Sequence, residues 1–63
     1  MSRTEIYFEF TVVGAFVKVA AIDSVTATEV TVMGPATASR ADLERLATQK
    51  LRARLARDAA EKR

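Results

Sequence analysis

Apolar and polar residues alternate from Thr4 to Val13, with Ile6, Phe8, Phe10 and Val12 on one side and Glu5, Tyr7, Glu9 and Thr11 on the other. A period of two is that of a half-buried antiparallel strand, because successive side chains point to opposite faces of the sheet. A first strand is therefore predicted over about residues 4–13. Gly14 breaks the pattern, and its access to positive φ suits a tight reversal. Alternation resumes over about 16–23, with Val17, Val19 and Ala21 on one face and Phe16, Lys18, Ala20 and Ile22 on the other. Asp23 to Ala27 reads as a second turn, in which Asp23 and Ser24 can accept bonds from nearby amides. That turn has no glycine, so its type stays open. A third strand follows over about 28–33, with Val30 and Val32 inward and Glu29, Thr31 and Met33 outward. Two short reversals make consecutive strands antiparallel neighbours in the order first, second, third.

The period changes after Gly34-Pro35. Proline has no amide hydrogen for a strand ladder, so the third strand is expected to stop near Gly34. Ser39 suits the cap of a helix, and Asp42 three residues on gives a weak capping-box pattern. Leu43, Leu46, Ala47, Leu51 and Leu55 then recur at helical spacing, with no Gly or Pro up to Arg63. A helix is predicted over about 40–60. Its leucine stripe runs roughly 18 Å at 1.5 Å per residue, and fits along a strand of roughly 23 Å. Past Leu55 only alanines are apolar, so the helix end is expected to project beyond the sheet or fray.

These elements make one small α+β domain over residues 1–63: a three-stranded antiparallel meander with a C-terminal helix on one face. The predicted core is Phe8, Phe10, Val17, Val19, Val30, Val32, Leu43, Leu46, Leu51 and Leu55, with the aromatic-rich first strand as its anchor.

Composition changes the picture in two ways. A chain of 63 residues is near the lower limit for a self-sufficient core, which favours a second copy supplying burial. There is also no cysteine and no histidine. Their absence removes thiolate nucleophiles, Ser-His-Asp arrangements and the commonest metal ligands. Glu5 and Glu9 share a strand face, but four residues of strand hold them roughly 13 Å apart by rise alone, too far for paired-carboxylate catalysis. No catalytic residue, cofactor or metal site is expected. The first residues lead straight into a strand, and no apolar run approaches the roughly 18 residues of a membrane span. A soluble cytoplasmic chain is expected.

Charge is uneven along the chain. Residues 1–39 carry two basic and four acidic side chains, and residues 40–63 carry eight basic and four acidic. Lys50, Arg54 and Arg57 cluster on one helical side, with Arg52 apart, and could contact phosphates. The alternative is a solvated face whose cations suit the C-terminal half of a helix. On the sheet face away from the helix, Tyr7, Phe16, Ile22 and Met33 gather beside Lys18. Aromatics with a lysine resemble single-strand stacking platforms, yet Glu5, Glu9 and Glu29 share that face and would repel phosphate. Exposed apolar surface more often marks a protein interface.

The run Val17-Lys18-Val19-Ala20-Ala21-Ile22-Asp23, with Thr28-Glu29-Val30, Met33-Gly34-Pro35-Ala36 and Ser39 to Ala47, resembles a family of small uncharacterised bacterial proteins, domains of unknown function. With Glu5 to Phe10 the resemblance covers nearly the whole chain. It implies three strands followed by a helix and carries no assigned activity. The functional expectation is a non-enzymatic interaction module that forms a homodimer through its open sheet face, Tyr7, Phe16, Ile22 and Met33. The second reading is a weak nucleic-acid binder using Lys50, Arg54 and Arg57.

Overall fold

The computed structural model describes residues 5–61. Strands β1 (Ile6–Val13), β2 (Phe16–Asp23) and β3 (Glu29–Pro35) precede one helix, α1 (Arg40–Glu61). The sheet is antiparallel in the order β1-β2-β3, so the predicted meander and its central strand stand. Expectations for Thr4 lie outside the described residues. β3 runs further than expected, through Gly34 into Pro35, which pairs with Phe16. The missing amide hydrogen is tolerated because β3 is an edge strand.

Each connection follows from its residues. Val13 pairs with Phe16 across Gly14-Ala15, and only Gly14 has positive φ, 61°. That is the pattern of a type II′ reversal, whose twist matches the flanking strands. The β2–β3 turn is built on Asp23, whose carboxylate accepts the amides of Val25 and Thr26 and the Thr26 hydroxyl at 2.8–3.1 Å. Ala27 supplies the reversal by adopting φ 61°. Before the helix, Ala38 donates to the Pro35 carbonyl. The Ser39 hydroxyl then accepts the Asp42 amide at 3.3 Å, as a cap does. The expected reciprocal half of the capping box is replaced: the Asp42 carboxylate pairs with Arg45 at 2.8 Å.

The core lies between α1 and the inner face of β2 and β3. Val17, Val19, Ala21, Val30, Leu43, Ala47 and Leu51 are buried there. Helix contacts fall on β3 and β2. This corrects the expected anchor: Ile6, Phe8 and Phe10 are only half-buried, and Val12 is 72% exposed. A helix is about 10 Å wide and strands are about 4.8 Å apart, so one helix covers two strands. Leu46 is a second correction, at 53% exposed. It lies about 100° around the helix from Ala47 at 3.6 residues per turn, outside the Leu43–Ala47–Leu51 stripe. The helix end carries mostly exposed residues after Leu55, as its alanines suggested. Among the described residues, no helix is long and apolar enough to cross a membrane.

Candidate interaction surfaces

Pairing resolves the outer face of the sheet into cross-strand rows. Val13, Phe16 and Pro35 form one row, and Thr11, Lys18 and Met33 the next. Glu9, Ala20 and Thr31 follow, then Tyr7, Ile22 and Glu29. The four expected interface residues thus fall into two groups. Phe16 and Met33 stand diagonally at one end, and Tyr7 faces Ile22 at the other. Six strand positions separate Phe16 from Ile22, about 20 Å, with Glu9, Thr11, Lys18 and Thr31 between. Tyr7, Phe16 and Met33 are more than half exposed, while Ile22 is half-buried. Ala20, expected on this face, is 4% exposed; Glu9 and Thr31 are its cross-strand partners on either side. The Tyr7 phenol donates to Glu5 at 3.0 Å; that bond first, and the negative charge second, raise its pKa above the ordinary value.

The inner side of β1 is the larger apolar row, and hydrophobic patterning alone assigned it to the core. Ile6, Phe8, Phe10 and Val12 follow one another along it without a polar break. At one end the Arg40 guanidinium lies 4.1 Å from the Phe10 ring centroid, a cation–π contact. Phe10, Val12, Val17, Ala38, Arg40 and Leu43 line a shallow apolar cleft there. The signal for this half-covered row was present in the sequence as arithmetic: three strands against one helix.

The helix cations also come together. Lys50, Arg54 and Arg57 line one cleft with Val30 and Ala53. Two of the three are engaged, since Lys50 donates to the Thr31 carbonyl at 2.7 Å and Arg54 pairs with Asp58 at 3.2 Å. The Lys50 contact closes part of the β3 edge.

Residues 3–58 match the family described as a domain of unknown function, DUF6898. No curated protein and no solved structure matches the chain.

Proposed function

The chain belongs to the DUF6898 family, and from its surfaces we propose that it is a non-catalytic interaction module that associates with a second copy of itself through its sheet. The observation that carries this reading is the apolar row Ile6, Phe8, Phe10 and Val12, which the single helix leaves half-covered or open. A chain this small has little apolar surface to spare, and a half-covered apolar row beside a sheet edge is a place where a partner adds burial. The outer face offers less: its apolar groups are split by charged and polar rows.

Sedimentation equilibrium tests the reading. A dimer that accumulates with concentration in the micromolar range is the expected result. A chain that stays monomeric at high micromolar concentration overturns it.

A nucleic-acid role is the second reading, favoured by the convergence of Lys50, Arg54 and Arg57 on one cleft. It requires binding whose affinity falls steeply with salt and whose slope flattens when all three become alanine. Lys50 and Arg54 already have protein partners, so binding at physiological salt is expected to be weak.

A further inference from the structure

We propose that the second copy docks edge to edge, β1 against β1 in antiparallel register about Phe8, so that two chains share one six-stranded sheet. The inference rests on the self-association reading and adds the surface and the register.

The two edges of the sheet differ. On β3, the Thr31 carbonyl is taken by Lys50, and Pro35 has no amide hydrogen to offer. Among the described residues β1 has no comparable guard: its eight residues include no proline and no basic side chain. The phase of its backbone follows from one bond. Ser24 donates its amide to the Glu5 carbonyl at 2.9 Å, so Glu5 and Ser24 are a bonded pair. Bonded and unbonded pairs alternate along an antiparallel ladder. Tyr7, Glu9, Thr11 and Val13 therefore turn their backbone groups towards β2. Ile6, Phe8, Phe10 and Val12 turn theirs to the open edge. Among the described residues, the β1 backbone groups left without a partner belong to the residues whose side chains form the half-covered apolar row.

Side-chain chemistry selects the partner and the register. Two β1 strands related by a two-fold axis keep their faces aligned when the axis passes through a residue position. With the axis at Phe8, Ile6 bonds to Phe10 of the second copy and the reverse, giving about six backbone bonds. On the outer face Tyr7 then stands opposite Glu9 of the second copy, where its single O–H can exchange the bond to Glu5 for one to that carboxylate, and Glu5 faces Thr11. An axis at Tyr7 sets Glu5 against Glu9, and one at Glu9 sets Glu9 against itself; like charges directly opposite are unfavourable. An axis at Phe10 brings together the two Arg40 guanidiniums that lie over those rings. The Phe8 register avoids all three conflicts, and it joins the two apolar rows into one strip.

Single cysteines test the register cleanly, because the chain has none of its own. Positions 7 and 9 would face each other as an unbonded pair with Cα atoms about 4.5 Å apart, within disulfide reach. A mixture of Tyr7→Cys and Glu9→Cys chains should cross-link under mild oxidation faster than either variant alone. Phe8→Pro removes only an outward-facing amide from the backbone, and should weaken the dimer by at least about tenfold while circular dichroism checks the fold. Ile22→Glu and Phe16→Glu, on the outer face, should leave the dimer intact. A wild-type chain that is monomeric removes both this inference and the reading beneath it. A dimer that survives Phe8→Pro, shows no preferred mixed cross-link and is broken by Ile22→Glu keeps self-association and overturns the edge.

Discussion

Gly34 lies directly under Leu43. A Cβ at position 34 would stand 2.6 Å from Leu43 Cδ2, closer than carbon atoms approach without something moving. Leu43 is 3% exposed and belongs to the buried cluster, so its tip has little room to give. This glycine is needed for space and not for an unusual φ. It sets how closely the start of α1 approaches β3.

Gly34→Ala is therefore expected to destabilise by about 1–3 kcal/mol through overpacking, partly offset by the lower chain entropy of alanine. The cost should shrink sharply in a Leu43→Ala background, where the clashing methyls are absent. Urea unfolding of the two single variants and the double variant gives the coupling. Equal costs in both backgrounds would place the strain elsewhere.

The helix stripe gives a second test. Leu51 is fully buried and Leu46 is 53% exposed. Leu51→Ala should cost about 2–5 kcal/mol, enough to unfold much of a marginal domain. Leu46→Ala should stay within about 0.5 kcal/mol. Thermal melts of the pair decide it, and similar losses would mean that α1 is rotated about its axis.

Two turn residues share φ 61°, Gly14 and Ala27, and their exchange variants should act in opposite directions. Nothing lies within 4 Å of a Cβ at Gly14, so Gly14→Ala tests the backbone alone and should destabilise by about 1 kcal/mol. Ala27→Gly should stabilise by up to about 1 kcal/mol, because glycine takes this conformation without steric penalty. Paired melting temperatures check both signs.

The Asp23 carboxylate carries a pH dependence. The Thr26 amide lowers its pKa most, the Thr26 hydroxyl and the Val25 amide assist, and partial desolvation opposes them. With the folded-state pKa below the ordinary 3.8, the stabilisation is complete above that value and lost as pH falls through the lower folded one. Asp23→Asn should melt lower than wild type at neutral pH. The gap should close on acidification from about pH 5 to pH 2. A gap that is constant across that range would show that the ionised form is not what holds the turn.

Much of this architecture was legible locally. A period of two, the single glycine between the first two alternating runs, and a capping serine before a helical period determined the strands, their order and the helix. Each depends on neighbours within a few residues, where backbone geometry acts directly. Asp23 was legible as a turn-former, although the left-handed Ala27 was not, since alanine carries no such signature.

Which side chains an element covers depended instead on how the segments pack. Alternation placed Phe8 and Phe10 with Val19 on one face, and they do share it. It could not say that a helix about 10 Å wide would settle over β2 and β3 and leave β1 half-covered. Helical spacing likewise grouped Leu46 with Leu43 and Leu51; the angle at which α1 meets the sheet excluded it. Tyr7, Phe16, Ile22 and Met33 were correctly assigned to one face, but cross-strand pairing separated them into two ends. Faces were legible in the sequence, because a face is set by the period of one segment. Burial and contiguity depend on where a second segment lands, and that is a matter of packing between residues far apart in the chain.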